Sequence, residues 1–448
     1  MQGSDANKNV GQSSEGDAVE NKAYIWYVLA MMLLLYMMNI IDRYVASGLL
    51  ERIKQDFQVS DSYMGFLVGP AFAIIYTSLA LPIARLADRI SRIKIIVTGA
   101  LVWSMFTVMS GYTNTPETFA LARLGVGVGE AAFFAPAISL LSDYFSPGRR
   151  AFAFAILNFG VYFGQIIGLG GGAAIADAYH WRVAFIVLGA PGIFLAIIAL
   201  LTIREPLRGR LDGLDKAAST ATMSFAAALR ALFSKKSFRY IILGTACGGF
   251  AGYGFGIWAP TLFARAFELT LTEANSRYGI PSVVFGLTGA VIIGIVCDKL
   301  SARDDRWPIR LSAIGVFGSM IFMFAMCFAP NARIATLMTI PAGLLGGGWV
   351  IGVQASLQDL LPSRLRATGT AFWGFGLTFA GLALGVQFAG LMMDGLSAQF
   401  GDDAIRYALA ATLLACIPSA FFLMMATKTH AQDRQAFVDE AKAEVELA

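Results

Sequence analysis

Two pairs of opposite charges stand inside stretches that are otherwise apolar. Asp42 and Arg43 are adjacent in YMMNIIDRYVASG (36–48), after a largely aliphatic and aromatic run that begins at Ala23. Arg123 and Glu130 are seven residues apart in RLGVGVGEAAFFAPA (123–137). Two helical turns bring such a pair to one face, about 10 Å apart along the axis. Buried carboxylates and guanidiniums can hold one another, hold an anionic ligand, or exchange a proton when their surroundings change. The two histidines, His180 and His430, fall in a loop and in the C-terminal tail, so proton chemistry in the apolar core falls to Asp42 and Glu130.

The elements that carry these charges are long and greasy. Of 448 residues 57% are hydrophobic and only 14% are charged, with a mean hydropathy of +0.64. About 20 apolar residues cross a bilayer as a helix. Twelve runs meet that length, near 24–50, 61–84, 95–112, 117–141, 151–176, 182–203, 238–264, 274–297, 310–328, 333–360, 367–393 and 404–427. The first 23 residues are polar without a cleavage signal, so the first run is expected to remain as helix 1. With the N-terminus in the cytoplasm, 25 of the 34 Lys and Arg residues fall on the cytoplasmic side, 7 on the opposite side and 2 within helices. That bias predicts cytoplasmic termini. The four cysteines lie within or at the ends of apolar runs without CxxC spacing and read as packing residues.

Counted from the outer helix ends, Asp42 and Arg43 lie about 10–13 Å deep, Arg123 about 10 Å and Glu130 about 20 Å. All four can meet in one layer around a water-filled cavity. A charge facing lipid instead costs roughly 2.5–3.5 kcal/mol on insertion scales. A salt bridge that only ties helix 1 to helix 4 satisfies the same spacing. Gly125, Gly127 and Gly129 have no strand before them and no Lys-Ser/Thr after them, so they read as packing glycines rather than a phosphate loop. Gly160, Gly164, Gly168 and Gly172 form an every-fourth-residue small face on helix 5.

The chain divides into two six-helix halves, 24–203 and 237–428, joined by a polar linker, 204–236, with tails at 1–23 and 429–448. Within the linker, SFAAALRALF has helical amphipathic spacing and either lies along the membrane face or belongs to a flexible connector. After helix 2 comes ARLADRISRIK (84–94), and after helix 8 comes GIVCDKLSARDD (294–305). Here the sequence resembles the major facilitator superfamily, whose signature loop is matched by Leu86, Ala87, Asp88, Arg89, Arg92 and Lys94, and in part by Gly294, Asp298 and Lys299. The resemblance implies an all-α membrane fold of twelve helices in two pseudo-symmetric bundles. Asp88, Arg89, Arg92, Asp298 and Lys299 read as a cytoplasmic gate, latching the halves when the outside is open.

The second half carries almost no intramembrane charge. Tyr253, Trp258, Trp349, Gln354 and Trp373, with Tyr162 and Gln165 from helix 5, are the candidate cavity lining. A charged wall facing an apolar one suits an amphiphile, with its ionic head against Arg43. Asp42-Arg43-Tyr44, the helix-4 pattern from Arg123 to Pro136, and LLSDYF (140–145) resemble the Spinster branch of the superfamily. That resemblance implies transport of lysophospholipid or sphingosine-phosphate-like species, with Asp42 and Glu130 in proton coupling and Arg43 and Arg123 in the head-group charge network. A proton-coupled carrier of small organic anions and an uncoupled lipid uniporter stand as alternatives. No nucleotide-binding motif occurs, and GxSxG, HExxH and HxxxxD are all absent, so neither ATP hydrolysis nor an intramembrane enzyme is expected. The expected partners are the bilayer, the substrate and protons. The chain is expected to be a monomer in a bacterial inner membrane, without cofactor, metal or nucleic acid.

Overall fold

The structure is a computed structural model that describes residues 22–87, 89–207 and 225–446. Asp88 and most of the linker therefore lie outside the described residues. Eleven stretches are long and apolar enough to cross a membrane, and the last, Thr368–Asp439, is two helices divided by a tight turn at Gly401–Asp403. Gly401 takes φ +55 there, a conformation that glycine adopts without a Cβ penalty. The described residues thus make twelve passes.

In the first half these are helix 1 (Lys22–Gly48), helix 2 (Asp61–Val68 and Pro70–Ala87) and helix 3 (Arg92–Ser110). Helix 4 follows as Pro116–Glu130 and Phe134–Tyr144, helix 5 runs from Pro147 to Ala178, and helix 6 is Trp181–Thr202. The second half holds helix 7 (Lys236–Ala266), helix 8 (Leu271–Ser301) and helix 9 (Trp307–Cys327). It ends with helix 10 (Ala332–Gly346 and Trp349–Leu360), helix 11 (Ser363 to Phe400) and helix 12 (Ala404–Leu413 and Cys416–Glu446). Short polar side chains start many of them: Ser60 accepts from the Tyr63 N–H, Asn331 from Ile334, and Thr115 and Thr270 form capping boxes.

Close helix approach follows from small residues. A Cβ on Gly164 would stand 2.8 Å from the Met37 carbonyl oxygen, so helix 5 lies directly on helix 1 along its glycine face. Two seams join the halves. Helix 2 meets helix 11 where a Cβ on Gly69 would stand 2.5 Å from the Leu382 carbonyl, and helix 5 meets helix 8 where Leu169 touches Gly279. Both seams carry a π-helical segment, Ile167–Gly171 in helix 5 and Phe379–Gly385 in helix 11. Such segments widen a helix locally and release carbonyls, and they favour hinges.

Polar contacts between the halves gather at the end remote from the chain termini. Arg265 of helix 7 binds Glu51 at 2.7 Å and Asp61 through both Nη atoms at 3.0 and 2.7 Å. Lys54 adds a bond to Asp61 at 2.9 Å. The Asp394 carboxylate accepts the Asp61 and Ser62 N–H groups at the start of helix 2, a favourable site for an anion. Asp177 takes the N–H and hydroxyl of Thr272, and Asn275 donates to the Gly48 carbonyl.

At the terminus-proximal end, the described ion pairs stay within one half. Arg92 is buried and binds Asp143 at 2.5 Å, Glu205 at 2.7 Å and the Ser139 carbonyl, tying the start of helix 3 to helix 4 and to the segment that follows helix 6. Burial works to raise the Glu205 pKa, but the Arg92 guanidinium, the Ile93 N–H and the Ser91 hydroxyl together hold it below the ordinary carboxylate range. Arg89, Asp298 and Lys299 are exposed at this end. The amphipathic linker stretch forms the helix Phe225–Ser234, whose Ala228 and Leu232 are buried in a core with Phe238 and Leu361.

Replacing Arg265 by glutamine leaves Glu51 without its cation and Asp61 with Lys54 alone, and removes the ion pairs that cross between the halves here. Removing one partner of a buried pair costs roughly 3–5 kcal/mol, enough to shift the closed-end population at least tenfold. Spin labels at Val59 and Ser397 should then report longer separations in R265Q than in the parent. Unchanged distances would mean that the apolar seam alone keeps this end shut.

Candidate functional site

The site begins with how helix 4 ends its first segment. After Glu130 the helix breaks over Ala131–Phe133, where the amides of these residues bond back to Gly127, Gly129 and Glu130 carbonyls, and then resumes at Phe134. The break leaves Glu130 at a helix end, inside the first half, only 1% exposed. Asp42 is 1% exposed and Arg123 2%. Arg43, by contrast, keeps 18% of its side chain exposed.

Arg43 and Glu130 make the one ion pair of the four. Arg43 Nη2 lies 2.5 Å and Nε 3.2 Å from the same oxygen, Glu130 Oε2. The guanidinium also stands over the Phe72 ring at 4.8 Å and the Tyr76 ring at 5.2 Å, two stacked aromatics on helix 2. A flat, weakly hydrated cation suits that position better than a lysine ammonium. The remaining atoms are left over: both Asp42 oxygens, Glu130 Oε1, Arg123 Nε and Nη1, and Asn39 Nδ2 are buried with no hydrogen-bond partner among the described residues. Helix 1 thus presents two polar faces. Asn39 and Asp42, three residues apart, turn into the first half, while Arg43 turns toward helix 2.

Across from this layer lies a cavity of about 350 Å³, lined mainly by the second half. Tyr44 and Gln165 are its contribution from the first half; Tyr253, Tyr278, Met323 and Trp349 stand on the other side among glycines of helices 7, 8 and 10. Tyr44, next to Arg43 on helix 1, joins the cavity lining to the segment that carries the ion pair. Trp258 and Trp373 are buried in packing, donating their indole N–H groups to the Val386 carbonyl and to Thr245. Gln354 is exposed, Tyr162 half-buried, and neither lines the cavity. Phe72 and Tyr76 escaped sequence reasoning, although their spacing of four residues on helix 2 is the signal of a shared face. Tyr44 and Tyr278 carried no such signal.

Comparison with known proteins agrees with this architecture. Residues 32–386 match the family model for the Major Facilitator Superfamily. An MFS-type efflux pump of Mycolicibacterium smegmatis is 29% identical over 390 residues, covering 86% of this chain and 88% of the relative. The sphingosine-1-phosphate transporter SPNS2 of Danio rerio is 28% identical over 386 residues, covering 82% of this chain and 76% of that protein. The crystal structure of a bacterial homologue of the human lysosomal transporter Spinster, inward-facing and unoccupied, superposes with a TM-score of 0.82 at 28% identity, over 92% of this chain and 99% of that one.

The pairing makes a stability prediction. Arg43→Ala strands the Glu130 carboxylate in the bundle, and the loss should be roughly 3–5 kcal/mol, seen as a lowered unfolding temperature in detergent at pH 8. Adding Glu130→Gln should restore most of it, because the neutral amide needs no cation. A double variant no more stable than Arg43→Ala alone would place the value of Arg43 in its stacking on Phe72 and Tyr76.

Proposed function

The chain belongs to the Major Facilitator Superfamily, as a transporter related to the Spinster proteins, and on that premise we propose that it moves an anionic amphiphile coupled to protons by alternating access. The substrate class is a lysophospholipid or a sphingosine-phosphate-like lipid. One observation carries the reading: Arg43 is the single partly exposed member of the buried charge layer, and the next residue, Tyr44, lines a cavity whose far wall is aromatic and glycine-rich. An anionic head group can take the Arg43 guanidinium from Glu130 while a hydrocarbon tail lies against Tyr253, Met323 and Trp349. When Arg43 turns to the head group, Glu130 loses its cation in a buried site and takes up a proton instead. Asp42, buried and without an ion-pair partner among the described residues, is the second proton site, and Arg123 sets the charge of the layer between the two acids.

The Lys and Arg distribution supports cytoplasmic termini in a bacterial inner membrane. The linker and both tails are then cytoplasmic, the Arg265–Asp61 end is external, and the conformation is inward-facing. We propose no enzymatic activity and a monomer, since both the cavity and the charge layer are lined from within one chain. A small organic anion finds hydroxyls but no cationic side chain among the second-half lining residues. One feature favours an uncoupled uniporter instead: Asp42 and Arg123 are sealed inside the first half and could serve only its packing.

The test is transport into proteoliposomes. A fluorescent lysolipid should accumulate when a proton gradient is imposed, and Glu130→Gln and Asp42→Asn should each cut the gradient-driven component at least tenfold while leaving binding measurable. Flux that ignores the gradient in the parent protein would make it a uniporter. Flux of a short-chain dicarboxylate in place of the lipid would move the substrate class.

A further inference from the structure

We propose that the terminus-proximal end of the second half holds a divalent transition-metal site of the zinc type, formed by Asp305, Asp359 and His430. The three residues come from three elements: the loop between helices 8 and 9, the last turn of helix 10, and helix 12. One oxygen of each carboxylate and one ring nitrogen of His430 lie within 4.8 Å of one another.

The histidine points to a ligand. His430 is fully buried, and its Nε2 lies 3.2 Å from the Ser356 carbonyl oxygen, which accepts only if Nε2 carries the proton. In the neutral ring Nδ1 is then the lone-pair nitrogen, and it is buried with no partner among the described residues. A backbone carbonyl that fixes one nitrogen as donor and leaves the other as a base is the outer-shell arrangement of metal-bound histidines. Two carboxylate oxygens beside an imidazole nitrogen suit zinc or a neighbouring first-row ion rather than magnesium or calcium, with water completing the shell.

The structure also shows what holds these carboxylates otherwise. Arg434 Nη1 bridges them, 3.1 Å from Asp305 and 3.2 Å from Asp359. Its side chain is 45% exposed, so it can swing into solvent at little cost. Arg434 and the metal are alternative cations for one pair of acids. Ligand atoms around a tetrahedral zinc lie about 3.4 Å apart, given bonds of about 2.0–2.1 Å. Closing from a spacing of at most 4.8 Å takes up to about 1.4 Å of side-chain movement, which two part-exposed aspartates supply by torsion. A bound ion would staple the loop before helix 9 and helix 10 to the cytoplasmic extension of helix 12.

The test is a titration of the purified full-length protein in detergent with zinc chloride, read by calorimetry and by unfolding temperature. Saturable binding near one ion per chain, a raised unfolding temperature and reversal by a chelator are expected, with magnesium inactive. Arg434→Gln should bind zinc at least threefold more tightly, because the competing cation is gone. His430→Gln should bind at least tenfold more weakly, and Asp359→Asn, at an exposed position, gives the same reading should the histidine variant fold poorly. His180→Gln should match the parent. Absence of saturable binding, parental affinity in Asp359→Asn, or weakened binding in Arg434→Gln would each overturn the site.

Discussion

A carboxylate carried into the middle of an apolar bundle persists only while a cation or a proton attends it. In this protein Arg43 attends Glu130, and the neighbouring architecture serves that contact. Helix 4 breaks directly after Glu130, helix 2 supplies Phe72 and Tyr76 as a stacked bed for the guanidinium, and the glycine face of helix 5 holds helix 1 close. The pair uses one carboxylate oxygen and leaves the other unbonded. Such a contact is strong enough to hold in low dielectric, yet it lacks the two-oxygen fork of a purely structural arginine–carboxylate pair.

The irregular parts of the fold recur at matching places in the two halves. Helix 4 is interrupted over 131–133 and helix 10 at Gly347 and Gly348; helix 5 and helix 11 each carry a π-helical segment. A repeat preserves helix positions, and it has also preserved the positions where helices are weakest. Both π segments lie on the seams where one half touches the other, so the halves meet along helices whose hydrogen-bond ladder is already loosened. Two rigid bundles joined at softened seams can rock without breaking their own cores.

Much of this was legible in the sequence because the bilayer makes a simple demand. Apolar length gives the passes, the paired ADRISRIK and CDKLSARDD loops give the division into halves, and the charges at 42, 43, 123 and 130 stand out against hydrocarbon. Depth counting brings the four charges into one layer without saying that Arg43 and Glu130 are the pair that touches. The break after Glu130 was not legible, because GEAAFF carries no proline and reads as continuous helix. The aromatic candidates were the least legible: Trp258 and Trp373 differ from Trp349 only in which way the helix is turned, and a helix that is apolar all round gives no moment to reveal it. The Asp305–Asp359–His430 grouping was hidden for another reason, since its residues are spread over more than one hundred positions and meet only through tertiary packing.

The two ends of the molecule are held by different physics, and that difference bears on the proposed cycle. The terminus-distal end is closed by charges that cross between the halves, Arg265 with Asp61 and Glu51, and by Asp394 at the start of helix 2. At the other end the comparable clusters, Arg92 with Asp143 and Glu205, and Arg434 with Asp305 and Asp359, brace each half internally. Opening the distal end therefore requires hydrating Arg265 and Asp61, whereas parting the halves at the proximal end breaks none of the described ion pairs within a half. In the proposed cycle, a ligand that binds Arg43 would act between these two ends: it would release Glu130, remove one contact between helix 1 and helix 4, and fill the space beside Tyr253. Head-group binding and proton uptake then favour the same rearrangement, because each replaces the Arg43–Glu130 contact with one that a wholly neutral, empty layer cannot make. Coupling in this scheme rests on one cation shared by two anions, and it needs no relay of titratable groups across the membrane.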